Sequence, residues 1–86
     1  MTVARAGDGV IALRGVCPAE DAEALARCLA EEAGASVDWS ACEEAHTAVV
    51  QVLLAARVRV VGSPANPFLR DHIAVQLDPR RPGEQI

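Results

Sequence analysis

The chain is 86 residues long, which is enough for one small domain and too short for two. About half of the residues are apolar but only 2% are aromatic, so the predicted core consists mainly of alanine, valine and leucine. Twelve acidic residues against eight arginines, with no lysine and no basic stripe, give a formal net charge of −4. This balance argues against direct binding of DNA or RNA, because contacts to phosphates dominate the affinity of such complexes.

The apolar segments are too short for a membrane span. The longest apolar run covers residues 48–56, is interrupted by Gln51, and falls far below the ~20 residues that a spanning helix needs. The N-terminal residues contain no continuous apolar stretch of the signal-peptide type. We therefore expect a cytoplasmic protein that does not insert into a membrane.

The first part of the chain predicts a hairpin followed by a helix. Two short β-rich runs, TVARA and VIALR, flank Gly7-Asp8-Gly9, a turn sequence that accepts positive φ angles. Pro18 suits the first position of a helix, and Gly34 suits its C-terminal end. Between them the apolar residues recur at helical spacing and form one stripe: Ala22, Leu25, Ala26, Leu29 and Ala33.

The middle of the chain predicts a second strand–helix unit. SVDWS, residues 36–40, reads as a short strand with Val37 and Trp39 on one face, and residues 41–46 read as a loop. From Thr47 to Arg57 the sequence predicts a helix that is apolar on nearly all sides. Such a helix is expected to be buried over most of its surface.

The last part of the chain predicts one more strand and one more helix. RVRVVG, residues 57–62, has the composition of a strand. Asn66 and Pro67 suit the N-cap and the first turn of the helix that follows. Its inward-facing residues are expected to be Phe68, Leu69, Ile73 and Leu77.

The predicted order is therefore β-β-α-β-α-β-α, an α/β fold within a single domain of residues 1–77. Strands that alternate with helices imply βαβ crossovers, so the sheet is expected to be mostly parallel after the hairpin. Residues 78–86 are rich in proline and charge and are expected to form a disordered tail.

Cysteine and histidine residues raise two chemical alternatives, a metal site and a nucleophile. Cys42 and His46 have a spacing that could bind one ion, but a structural zinc site needs four ligands and a catalytic one needs three. A catalytic thiol needs a histidine partner, an oxyanion hole and a substrate pocket, so this alternative requires an unusually reactive Cys42. We expect no metal, no cofactor and no enzymatic activity. The cysteines, Cys17, Cys28 and Cys42, are expected to be buried or half-buried thiols.

Thr47 at the start of the predicted central helix has two interpretations. It can be an ordinary structural residue of the first turn, or a hydroxyl exposed for phosphorylation or for recognition by a partner. A phosphate there would be favoured by the positive end of the helix dipole and opposed by Glu43 and Glu44. The sequence leaves both interpretations open.

The stretch VDWSACEEAHTAVVQVLLAAR resembles the signature of STAS domains, the group of anti-sigma-factor antagonists and the cytoplasmic domains of sulfate transporters. In that family an apolar strand ends in Asp-Leu-Ser, and a short loop leads through an acid and a Ser or Thr into a buried helix. Here residues 38–40 read DWS, Thr47 falls on the hydroxyl position, and His46 stands in place of the acid. The resemblance covers about residues 8–77. It implies a small mixed four- to five-stranded sheet with helices packed mainly on one face.

The same resemblance implies a function through protein–protein contact. In the bacterial antagonists the partner is an anti-sigma factor with serine kinase activity, which phosphorylates the hydroxyl position, here Thr47. An alternative within the family is an accessory subunit on the cytoplasmic ATPase of a bacterial lipid-trafficking transporter of the ABC type. In both cases the resemblance suggests a binding surface formed by Glu43, Glu44, His46, Thr47 and Gln51. The sequence does not specify the oligomeric state.

Overall fold

The computed structural model describes residues 2–78 and confirms the predicted α/β class and element order. The strands are β1 (Val3–Gly7), β2 (Val10–Cys17), β3 (Ser36–Ala45) and β4 (Arg59–Val61). The helices are α1 (Asp21–Glu31), α2 (Thr47–Ala56) and α3 (Ala74–Leu77), the last preceded by a π-helical turn (Leu69–Ile73). Helical conformation begins at residue 67, so residues 67–77 are called the C-terminal helix below.

The four strands lie in the sheet in the order β1-β2-β3-β4, which is also their order in the chain. β1 and β2 pair antiparallel across the predicted turn, whereas β2 with β3 and β3 with β4 pair parallel. Each parallel connection passes through a helix. α1 and α2 pack against each other, as expected when two successive right-handed crossovers step in the same direction and place their helices on one face of a sheet.

The core lies between the sheet and these helices. The sheet residues with no exposed surface are Ile11, Leu13, Val37, Trp39 and Cys42. They belong to one cluster with Leu25 of α1, Val49 and Leu53 of α2, and Leu69 of the C-terminal helix. Burial of α2 is confirmed for its inner side only, since Gln51, Ala55 and Ala56 are exposed. The core is thus closed by helices on one face of the sheet.

The other face of the sheet carries small and polar side chains, as expected for a face that the helices do not cover. Across it Ala12 lies opposite Asp38, and Asp38 lies opposite Val61. Val61 is 46% exposed, and Ser40 is also exposed. Because this face contributes little to the core, its positions do not require large apolar side chains.

β3 is longer than the sequence suggested, and the loop predicted at residues 41–46 is wrong. The strand continues to Ala45 because β2 extends to Cys17 and offers backbone partners along this whole length. Gly15 lies opposite Cys42, and Cys17 lies opposite Ala45. Two register shifts interrupt this parallel ladder, and they disturb the simple alternation that makes a strand recognisable in a sequence.

The first helix also differs at its ends. α1 begins at Asp21, and residues 18–20 form a turn in which the Asp21 N–H donates to the carbonyl of Pro18 at 3.0 Å. The helix ends at Glu31, so Ala33 lies beyond it and is exposed. Gly34 has a φ of +78°, the left-handed conformation expected of a residue that follows a helix.

The C-terminal helix buries Leu69 and Ile73 but leaves Phe68 55% exposed, so the predicted inward position of Phe68 is wrong. Phe68 lies about 100° from Leu69 around the helix, on a side that the core does not cover. The predicted N-cap is confirmed: the Asn66 side chain accepts a hydrogen bond from the Leu69 N–H at 3.1 Å. Leu77 is half-buried, as the pattern indicated.

Two further expectations concern the C-terminal tail and membrane insertion. Apart from Asp78, the tail predicted at residues 78–86 lies outside the described residues. Among residues 2–78, no helix has both the length and the apolar character needed to cross a bilayer.

Candidate docking surface

The junction between β3 and α2 is held by His46, which is the N-cap of α2. Its backbone N–H donates to the carbonyl of Cys17 at 2.9 Å, which ties the junction to the end of β2. Its imidazole Nδ1 accepts the N–H of Ala48 at 3.0 Å and so replaces the hydroxyl or carboxylate of a common N-cap. Thr47 is therefore the first residue of α2 and not its cap, and its side chain is exposed.

All five residues that the sequence suggested for binding are exposed. They are Glu43, Glu44, His46, Thr47 and Gln51, and they are called the β3–α2 surface below. Thr47 and Gln51 are neighbours on α2 because they are separated by four residues. Within the described part of the chain, no hydrogen bond or ion pair joins the five side chains to one another. They form an open surface and not a preassembled catalytic group.

A rigid base supports this surface. Val49, Val50 and Leu53 of α2 are buried in the core directly behind the exposed residues. The first helical hydrogen bonds run from the Val49 and Val50 N–H groups to the carbonyl of His46, at 2.8 and 3.1 Å. The start of α2 is therefore fixed by both packing and hydrogen bonds, and a partner that binds here does not have to order it.

The electrostatics of this end of the molecule are one-sided. Residues 15–26 and 42–56 surround the C-terminal ends of β2 and β3, and they contain no arginine. The same two stretches carry the carboxylates of Glu20, Asp21, Glu23, Glu43 and Glu44. Glu43 and Glu44 are exposed and form no ion pair within residues 2–78. The surface therefore carries uncompensated negative charge at Glu43 and Glu44.

Two thiols lie under the junction. Cys17 is 1% exposed and Cys42 has no exposed surface, and the two side chains interact with each other. Burial raises the pKa of the Cys17 thiol from an ordinary 9.0 to about 12, and the nearby Cys42 adds to the effect. Burial also raises the pKa of the Cys42 thiol. A nucleophilic cysteine needs the opposite, an accessible thiol with a lowered pKa, so Cys42 lacks the properties that the enzymatic alternative required.

The two side chains whose spacing raised the alternative of a metal site, Cys42 and His46, are both engaged in hydrogen bonds within the protein. The Cys42 Sγ donates to the carbonyl of Glu44 at 3.4 Å, while His46 uses Nδ1 to cap α2. Within residues 2–78, no group of three or more His, Cys, Asp or Glu side chains is placed to hold a metal ion. Cys28 is half-buried, and none of the three cysteines forms a disulfide, in agreement with the sequence analysis.

The DWS stretch has a structural role within the sheet. Asp38 Oδ1 accepts hydrogen bonds from the backbone N–H and the hydroxyl of Ser40, at 3.0 and 2.7 Å. These two bonds, the backbone one first, lower the pKa of the Asp38 carboxyl. Trp39 points the other way into the core, and its Nε1–H donates to the carbonyl of Gly62 at 2.9 Å. The motif therefore fixes β3 against the segment that follows β4.

Sequence reasoning missed one feature at the same end of the molecule. Asn66 does more than cap a helix, because its Nδ2 also donates to the carbonyl of Glu43 at 3.1 Å. This bond brings the start of the C-terminal helix, with the exposed Phe68, next to the β3–α2 surface. The sequence contains no local sign of the exposure of Phe68, since adjacent apolar residues of a helix can both be buried, as Val49 and Val50 are.

No protein-family model, curated protein or solved structure matches the chain. The likeness to STAS domains therefore rests on the pattern of residues 37–57 and on the order of the elements.

Proposed function

We propose that the protein is a non-enzymatic interaction module of the STAS type that regulates a partner protein by docking through the β3–α2 surface. The observation that supports this proposal is the exposure of all five surface residues on a base fixed by the buried side of α2. The partner class suggested by the resemblance is an anti-sigma factor with serine kinase activity. The acidic character of the surface is compatible with a partner that presents basic side chains.

We further propose that phosphorylation of Thr47 releases the partner. The Ala48 N–H already bonds to His46 Nδ1, and the Val49 N–H bonds to the His46 carbonyl. A phosphate on Thr47 would therefore find few free helix N–H groups to stabilise it. Its main effect is to add negative charge beside Glu43 and Glu44, which weakens docking through repulsion and lost fit.

The test is affinity purification of the tagged protein from its native cells, followed by intact-mass measurement of the recovered chain. Wild type is compared with Thr47→Glu, which mimics the charge, and with Thr47→Val, a matched variant of similar shape that cannot be phosphorylated. We expect wild type and Thr47→Val to retain the partner and Thr47→Glu to lose it. A fraction of the wild-type chain should carry the mass of one phosphoryl group.

Retention of the partner by Thr47→Glu at wild-type affinity would contradict the switch. Retention by a variant with Glu43, Glu44 and Gln51 all replaced by alanine would contradict the docking surface itself. Recovery of a transporter ATPase in place of a kinase would assign the protein to the accessory-subunit alternative.

A further inference from the structure

Phe68 is the most exposed aromatic side chain among residues 2–78. The chain contains one Phe, one Trp and no Tyr, and Trp39 is completely buried while Phe68 is 55% exposed. The ring of Phe68 lies 5.6 Å from the ring of His72, at an interplanar angle of 38°. Two rings are thus held together on the surface of the C-terminal helix, in a protein with very little aromatic surface to expose.

The backbone beneath Phe68 is fixed. Leu69 and Ile73, on the inward side of the helix, are 1% and 6% exposed and anchor it in the core. Asn66 joins the helix start to β3 through two hydrogen bonds of 3.1 Å, one from the Leu69 N–H and one to the Glu43 carbonyl. The position of Phe68 relative to the end of β3 is therefore set before any partner arrives. A preorganised aromatic side chain loses little entropy on binding.

The charges around Phe68 restrict the chemistry of what can cover it. Glu43 and Glu44 are exposed and have no ionic partner within residues 2–78. The nearest basic side chain on the helix, Arg70, is already paired with Asp71 at 3.2 Å. An anionic lipid surface would be repelled by these carboxylates. A second copy of the chain would bring the same carboxylates into the contact.

We propose that Phe68 is the anchor of the docking site and that its occupant is a basic amphipathic segment of the partner protein. Aliphatic side chains of that segment pack on the Phe68 and His72 rings, and its arginines or lysines face Glu43 and Glu44. Arginine suits both positions, since its guanidinium can pair with a carboxylate and also stack on an aromatic ring. This inference rests on the proposed function and specifies the chemistry of the partner.

The experiment uses the full chain, immobilised, and a phage-displayed library of random linear peptides. Enriched peptides are synthesised, and their affinities are measured by fluorescence anisotropy against wild type, Phe68→Ala and Val61→Ala. Val61→Ala is the matched control, because Val61 is 46% exposed but lies on the other face of the sheet. A Phe68→Gln variant provides a second test, and far-UV circular dichroism checks the fold of each variant.

We expect enriched peptides that combine arginine or lysine with large aliphatic residues. Loss of an aromatic anchor should weaken their binding roughly tenfold or more, as at a typical interface hot spot, and Val61→Ala should leave it unchanged. Replacing Glu43 and Glu44 by glutamine should lower the affinity and reduce its dependence on salt.

Three results would overturn the inference. The first is a library that yields no binder, or binders without basic residues. The second is equal affinity for Phe68→Ala and wild type. The third is a Phe68-dependent dimer in sedimentation, or Phe68-dependent binding to anionic vesicles, which would identify another occupant.

The two proposals fail in different ways. If the peptides lose affinity for Thr47→Glu and Gln51→Ala but keep it for Phe68→Ala, the β3–α2 surface remains the docking site and the role of Phe68 as its anchor is refuted. Peptides that depend on Phe68 but tolerate both other substitutions would place the docking site elsewhere and overturn the proposed function.

Discussion

The two thiols beneath the β3–α2 junction predict that the protein loses stability at alkaline pH. The chain has no lysine and no tyrosine, whose titration would otherwise overlap with that of Cys17 between pH 8.5 and 12. The pKa of Cys17 is about 12 in the folded protein, against 9.0 for an exposed thiol. As the pH rises above 9, unfolded chains lose the Cys17 proton while folded chains keep it, and unfolding becomes more favourable.

The size of this effect follows from the pKa difference. The contribution of the protonated Cys17 thiol to the free energy of unfolding is fully present below pH 9. It is lost as the pH rises from 9 to about 12, a span of three pH units. At about 1.4 kcal/mol per unit this is at most about 4 kcal/mol. The raised pKa of Cys42 acts in the same direction. A domain of this size has a typical unfolding free energy of roughly 4 to 13 kcal/mol, so the change should be easy to measure.

The assay is urea denaturation in the presence of a reductant at several pH values from 8 to 11, followed by Trp39 fluorescence. Cys17→Ala should make the decrease in unfolding free energy smaller, with Cys42 accounting for what remains, although the stability of the variant at pH 8 will be lower. Cys28→Ser is the matched control and should keep the full decrease, because it leaves the buried Cys17 and Cys42 in place. An unfolding free energy that stays constant from pH 9 to 11, or the same decrease in Cys17→Ala, would refute the reasoning.

Three other substitutions test the local geometry by urea denaturation. Gly62→Ala should lower the free energy of unfolding by about 2 kcal/mol or more, since φ is +82° and the new Cβ would lie 2.8 Å from Ser40 Cβ. Gly34→Ala, at φ +78° without such a neighbour, should lower it by only about 1 kcal/mol. His46→Ala should cost about 1 kcal/mol by removing the N-cap of α2, and His46→Asn should restore most of it; equal losses would exclude the capping role. Trp39→Phe should lower the free energy of unfolding by about 2 kcal/mol, because it removes a hydrogen bond and leaves a small cavity. Wild-type stability of this variant would contradict the hydrogen bond from Trp39 to the Gly62 carbonyl.

The fold was predictable where local chemistry and tertiary packing agree. Glycines marked the hairpin turn, and the apolar run after Thr47 defined α2 to within one residue. β3 was not predictable beyond Ser40, because its last five residues include Glu43 and Glu44 and lack the alternation of a strand. These residues are extended because β2 provides partners for their backbone, a long-range cause that no window of sequence contains.

The candidate site was predictable to a similar extent. The exposure of Thr47 and Gln51 followed from their polar character on an otherwise apolar helix. The capping role of His46 did not, because histidine is not a usual N-cap and its Nδ1 bond depends on the backbone angles of the junction. The link from Asn66 to Glu43 spans 23 residues and appears only in three dimensions.

Charged side chains are distributed unevenly between the two ends of the strands. Parallel strands bring their C-terminal ends to the same edge, so the carboxylates that follow β2 and those in the last part of β3 gather beside the starts of α1 and α2. Arg57 and Arg59 lie at the opposite edge, where β4 begins beside the start of β3. A partner with basic side chains, as proposed above, would be drawn toward the carboxylates at the first edge, and such a field orients a partner before contact forms. Orientation by charge would bring the partner first to the edge where Thr47 and Phe68 lie, which is where added phosphate would most affect its approach.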